Sequence, residues 1–121
     1  MEKKITSFKE LKIWQKGIEI VKDVYESTKT FPTVETYGLT AQIRRAAISI
    51  PSNIAEGFKR YHEKEYRQFL FISLGSLAEL ETQLIIAREL DYISQVVLDN
   101  LSEKSEHLSR MIYALMKKFQ T

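Results

Sequence analysis

From Leu39 to Ile54 the chain carries Leu39, Ile43, Ala46, Ala47, Ile50 and Ile54 at helical spacing, the stripe of a helix buried along one side. The opposite side holds Ala41, Ile48, Ser52 and Ala55, small or apolar where a surface helix places charge. Two uncharged faces on one helix predict two neighbours, one inside the subunit and one beyond it. Pro51 removes the amide that would bond to the Ala47 carbonyl and crowds that turn, so a kink is expected there. The alternative is a full break, with Pro51 opening a second helix.

The same pattern recurs on either side. Ser7-Phe8-Lys9-Glu10 reads as a capping box for a first helix running to about Lys29. Its expected inner stripe is Leu11, Trp14, Ile18, Val21, Tyr25 and Thr28, and its solvated back Lys9, Lys12, Lys16, Glu19 and Asp23. Phe31-Pro32 ends that helix. Thr33 is the expected cap of the second, Glu35 lies near its positive end, and Gly38 leaves room there for another segment. Gly57 is expected to stop the second helix, ahead of a short basic connection through Lys59, Arg60 and Tyr61.

A third helix is predicted from about Glu63 to Leu90, with Tyr66, Phe69, Leu70, Ser73, Leu77, Leu80, Leu84 and Ala87 inside. Its back carries Phe71, Gly75, Ala78, Thr82, Ile85 and Ile86, again without charge. Gly75-Ser76 costs helix propensity, which is reasonable if a neighbour packs closely there. Asp91 to Ser94 reads as a turn with Ser94 as cap. A fourth helix then runs to about Phe119 on Val97, Leu101, Leu108, Met111, Ile112, Leu115 and Phe119. Its polar side is charged (Asp99, Glu103, Glu106, Arg110, Lys117), so it is amphipathic in the ordinary way. The fold class is all-α: one domain over residues 1–121, an antiparallel up-down-up-down left-handed four-helix bundle with a kinked second helix.

The segments Phe31-Pro32, Glu35, Tyr37-Gly38-Leu39, Gln42, Arg44 to Ala47, Ser49-Ile50, Asn53 to Gly57, Phe69-Leu70, Gly75-Ser76 and Glu79-Leu80, in that order, resemble the bacterial 23S ribosomal RNA intervening-sequence proteins. That family is also called the four-helix bundle protein family. The match runs from about Phe8 to Tyr92, with His62 standing where a hydroxyl cap is the family's pattern. The resemblance implies an antiparallel bundle assembled into a ring of five, members often encoded within ribosomal RNA genes, and a role in binding RNA. A related group, the accessory proteins of diversity-generating retroelements, comprises basic pentamers acting with nucleic acid and a reverse transcriptase. No catalytic residues come with the resemblance.

Net charge is only +2, too small for global attraction to nucleic acid. Its distribution adds a little: seven lysines face five acids up to Thr30, six cations face four acids from Phe31 to Arg67, and five face seven thereafter. Arg44 and Arg45 point about 100° apart on a helix, so they do not form one prong. One reading pairs them with Glu56 or Glu79 as helix or subunit locks. The other groups them with Lys59, Arg60, Lys64 and Arg67 as a basic rim for phosphates. Asn53, Glu56, Glu79 and Gln83 read as structural polar contacts.

Catalytic and metal chemistry find little support. A di-iron bundle needs two Glu-x-x-His motifs, and none occurs. The histidines are His62 and His107, His62-Glu63 is not the start of a metalloprotease motif, and there is no phosphate-binding glycine loop. No cofactor or metal is expected, and the chain is read as a non-enzyme. With no cysteine and with Met1–Thr6 leading straight into a helix, a cytoplasmic protein without a signal peptide is expected. The span-length apolar stretch 68–87 holds Gln68, Glu79, Glu81 and Gln83, so no membrane is expected as a partner. The expected partners are further copies of the chain through Ala41, Ile48, Ser52, Ala55, Phe71, Gly75 and Ala78, and then RNA or DNA. The competing function is a protein-interaction scaffold whose partner performs the nucleic-acid chemistry.

Overall fold

The computed structural model describes residues 4–60 and 62–119. Among them the chain is all-helical, with four long helices and no strand: α1 (Lys12–Thr28), α2 (Leu39–Lys59), α3 (Glu63–Glu89) and α4 (Gln95–Lys117). Short 3₁₀ turns at Phe8–Glu10 and Thr33–Glu35 precede α1 and α2. The expected connecting residue Tyr61 lies outside the described residues. α2 packs on α3 and α1, α3 on α4, and α4 on α1, so contacts run round all four helices, most extensively between α2 and α3.

Where the stripes consist of bulky aliphatics, the expected core is the observed one. Ile43, Ala47, Ile50 and Ile54 of α2 meet Leu70, Leu80 and Leu84 of α3 with essentially no exposure. Buried hydroxyls tie the same pair together. Ser73 Oγ donates to the Ile50 carbonyl at 3.0 Å, and the Ser49 and Ser76 hydroxyls meet at 2.6 Å. α2 runs unbroken through Pro51, which removes the reading in which a second helix starts there. On α4, which Ser94 Oγ caps by accepting from the Val97 amide, Leu101, Leu108 and Ile112 are buried as expected, but Ser105 and Met116 complete the row, and the expected Val97, Met111, Leu115 and Phe119 are only half-buried.

The stripe of α1 is shifted by one residue from the expected one. Ile13, Gly17, Ile20, Val24 and Thr28 are buried, whereas Trp14, Ile18 and Val21 are half-buried and Tyr25 is exposed. Gly17 sits against Pro51, so α1 comes down on α2 at the proline. The capping box is displaced as well. Ser7 Oγ accepts from the Lys9 amide, and Glu10 reaches back to the Thr6 amide, closing the 3₁₀ turn rather than α1 itself.

The start of α2 also departs from expectation. Thr33 does not cap it. The Glu35 carboxylate does, accepting from the Leu39 amide at 3.1 Å through Oε1 and from the Tyr92 hydroxyl at 2.9 Å through Oε2. Gly38 makes room for this carboxylate and not for a distant segment, since a Cβ there would stand 2.9 Å from Glu35 Oε1. The hydrogen bond to Glu35 also holds the Tyr92 hydroxyl above its ordinary pKa. Gly57 is no helix stop. It is buried inside α2, and a Cβ there would lie 2.7 Å from the Phe69 Cβ, so this is the closest approach of α2 and α3 at that end.

One charged strap joins α1 to α4. Lys104 Nζ donates to Asp23 Oδ2 at 2.5 Å and stands 3.1 Å from Glu19 Oε1. The bond to Asp23, then that to Glu19, raises the Lys104 pKa, and the bond from Lys104 holds the Glu19 carboxyl below its ordinary range. Because the Glu19 pKa is lowered on folding, its contribution is present above the unfolded carboxylate range and is lost as pH falls through the lowered value. Because the Lys104 pKa is raised, its share is present below the ordinary lysine range and lost only as pH rises through the raised value. Replacing Lys104 by Met is therefore expected to cost about 0.5–1 kcal/mol at pH 7 for this partly exposed group. In urea unfolding, the difference from wild type should shrink as pH is lowered below about 4; a difference that stays constant down to pH 3 contradicts the strap.

Candidate nucleic-acid interface

The rise of a helix decides how the cations are grouped. Arg44 and Lys59 sit near opposite ends of α2, about 22 Å apart at ~1.5 Å per residue. The six basic residues thus fall into two clusters and not one rim: Arg44 and Arg45 beside the end of α1, and Lys59, Arg60, Lys64 and Arg67 around the turn from α2 to α3.

Neither arginine of the first cluster pairs with Glu56 or Glu79. Arg44 Nε donates to Thr28 Oγ1 at 2.9 Å, and its guanidinium lies 4.4 Å from the centre of the Tyr25 ring, a cation–π seat that fixes it against α1. Arg45 is exposed and has no hydrogen-bond or ion-pair partner among the described residues. Glu56 is instead taken by Arg60 at 3.1 Å, while Glu79 is exposed on α3.

In the second cluster the arginines are partly engaged and the lysines are not. Arg60 holds Glu56 and covers the Phe69 ring at 5.1 Å; Arg67 lies over the Phe71 ring at 4.9 Å. Lys59 and Lys64 are exposed, and among the described residues neither has an ion-pair partner. They are the side chains there best able to meet a phosphate, whose recognition requires only an accessible charge.

Between the clusters runs the uncharged face of α2 and α3. Ile48 is 42% exposed, Phe71 47%, Ile72 50%, Ile85 50% and Ile86 43%, large aliphatic and aromatic surface left open by the other described residues. Ser52, Gly75 and Ala78 are exposed with them, and Ala41 and Ala55 are half-buried. A Cβ built on Gly75 would meet nothing within 4 Å, so the close neighbour expected at that glycine is not found among the described residues. By length and composition α3 could cross a membrane, and a third of the apolar window is buried inside the molecule.

A groove of roughly 630 Å³ opens at the Arg44–Arg45 end. Lys29 and Tyr25 of the α1 end, Tyr37 of the connecting segment, and Thr40, Arg44 and Arg45 of α2 line it, together with Ala41 and Ile48, which it shares with the uncharged face. Tyr37 is 96% exposed, whereas its neighbours Glu35 and Gly38 are committed to capping α2. Sequence reasoning placed Tyr37 only within the family-like motif and Lys29 only at the end of the first helix, and did not group either with the arginines. A usable signal existed, since Tyr37 is an aromatic that belongs to no apolar stripe.

The cleft between α1 and α4, about 230 Å³, is occupied by the Lys104 strap and its neighbours Lys16, Asn100, Glu103 and His107. Glu81 has its carboxyl pushed up by burial and then by the charge of Glu106, the one carboxylate pairing of this kind across α3 and α4 among the described residues. No group of three or more histidine, cysteine, aspartate or glutamate side chains that could hold a metal ion occurs among the described residues.

The family model described as 23S rRNA-intervening sequence protein matches residues 9–114. The fold is similar to the crystal structure of a protein with unknown function from the S23 ribosomal protein family of Bacteroides thetaiotaomicron. The TM-score is 0.77 at 21% identity, over 87% of this chain and 98% of that one. At that identity the likeness concerns the fold. No curated protein matches the chain.

Proposed function

The chain belongs to the 23S rRNA-intervening sequence protein family, and on that footing we propose that it works without catalysis, as a cytoplasmic homo-oligomeric ring that binds structured RNA. The ring is five-fold, and its subunit is an antiparallel, left-handed up-down-up-down bundle with a bend at Pro51. Helix contacts that run round all four helices support the bundle, and the amide that Pro51 lacks supports the bend. The observation that carries the function is the placement of cations at both ends of α2, flanking an uncharged face suited to a second copy. Assembly through that face repeats both clusters around the ring, where a few cations per subunit would be weak alone. A long RNA touching several subunits then gains effective concentration with no new contact type. The exposed Glu79 on the same helix as the apolar face favours a protein neighbour over lipid.

Filter binding with a long structured RNA tests this. Binding should tighten with RNA length and weaken steeply with salt. Lys59→Ala and Lys64→Ala should lower affinity across sequences, each reducing the salt slope by about one. The net charge of +2 favours the second reading, a scaffold for a nucleic-acid-processing protein. RNA binding that is undetectable at low salt, or indifferent to salt, would select it.

A further inference from the structure

We propose that the groove between the end of α1 and the start of α2 is a single-stranded nucleic-acid subsite, with one unpaired base stacked on Tyr37 and its flanking phosphates held by Arg45 and Lys29. This rests on the RNA-binding reading and assigns it a second, chemically different contact.

The residues argue for it from two sides. The Tyr37 ring, 96% exposed, offers its faces to solvent, an arrangement that costs apolar hydration and contributes no packing to this subunit. Around it the lining carries Lys29, Arg44 and Arg45 and no acid. Lys29 shares its charge with Glu26 at 2.9 Å, and Arg44 is fixed by Thr28 and Tyr25, so of the three cations lining this groove Arg45 is the one without a partner among the described residues.

The ligand class follows from these groups. A phosphate alone would not need an exposed aromatic, and a duplex keeps its bases stacked inside, away from a tyrosine ring. An unpaired nucleotide presents both a π-face and a phosphate, the pairing of contacts that single-strand binders use. A ring engaging structured RNA at its lysines would thus also hold a loop or bulge at Tyr37.

The test is fluorescence anisotropy with three probes, a labelled twelve-nucleotide single-stranded RNA, the same sequence in DNA, and a blunt RNA duplex, with oligomer mass followed by light scattering. Tyr37→Ala should weaken single-strand binding roughly five- to a hundredfold, the range of one lost base stack, while changing duplex binding little. Tyr37→Phe should restore what Tyr37→Ala loses, because the ring persists. Arg45→Ala should lower the salt slope by about one. Equal binding of RNA and DNA places recognition on base and phosphate; a preference for RNA adds the 2′-hydroxyl. If wild type binds single strands and Tyr37→Ala binds them equally, the subsite is overturned while the RNA-binding reading stands. If Tyr37→Ala lowers the oligomer mass and leaves single-strand affinity unchanged, Tyr37 is a subunit contact and the subsite is likewise overturned. If wild type binds none of the probes and no long RNA, both readings fall together.

Discussion

Ile48→Asp and Phe71→Asp are expected to split the proposed ring into single subunits, read as a fall in light-scattering mass at unchanged helix content. Both side chains are about half exposed in the subunit, so they have apolar surface left to bury and little packing to lose at home. In a closed ring one substitution enters every seam. Each seam then loses roughly 1 kcal/mol of apolar burial and must also bury a carboxylate, which costs about 3–5 kcal/mol when nothing pairs with it. The two positions are not equally clean. Arg44 and Arg45 lie one turn before Ile48, and Arg67 already covers the Phe71 ring, so each new carboxylate finds a cation nearby. Ile86→Asp is the stricter variant: one turn to either side stand Thr82, Gln83, Glu89 and Leu90, none of them basic. A monomeric wild type, or a mass unaffected by all three substitutions, would rule out this interface.

Gly57→Val is expected to cost about 3 kcal/mol of subunit stability through overpacking. The first atom added would stand 2.7 Å from the Phe69 Cβ and 3.3 Å from the Tyr66 carbonyl oxygen. Both belong to parts of α3 that cannot swing aside as the end of a long side chain can. The Phe58, Tyr66 and Phe119 rings pack there, at centroid distances of 6.1 Å and 5.1 Å. Burial among these rings has pushed the Tyr66 hydroxyl up to about 12. Relief requires separating the helices along their largest contact. Removing a glycine from a helix interior returns only a few tenths of a kcal/mol when valine replaces it. Urea unfolding at pH 7 measures the difference, and a variant as stable as wild type would show that the two backbones are not locked there.

The legibility of the fold varied with the side chains that carry it. On α2 and α3 the buried rows are isoleucine, leucine and alanine, and their spacing was enough to read them. On α1 two neighbouring rows compete. The buried one contains Gly17, which weakens its apolar signal, while Trp14, Ile18 and Val21 strengthen the row beside it. Glycine also misled at Gly57, because a stop and a close helix crossing call for the same missing side chain. The polar residues were harder still. That Glu35 caps α2 depends on Tyr92, 57 positions away in sequence. Arg44 spends itself on Thr28 and Tyr25 of another helix, which no local pattern records. The two uncharged faces were plain from composition, but the division of the cations between the two ends of α2 only became clear once the helix was known to be unbroken.

Gly75, with open space where a side chain would go, has a further consequence for the proposed ring. In the lone subunit it is a weakness, since a glycine inside a helix sacrifices about 1 kcal/mol against alanine and nothing among the described residues fills the gap. Only an adjoining copy can recover that loss by coming close to the bare backbone. The subunit is then less robust when dilute than when crowded with its own kind, and its melting temperature becomes a function of how much of it is present. A cell making little of this protein would hold subunits that unfold readily, and one making more would hold rings that persist, so abundance itself would set the lifetime of the RNA-binding form.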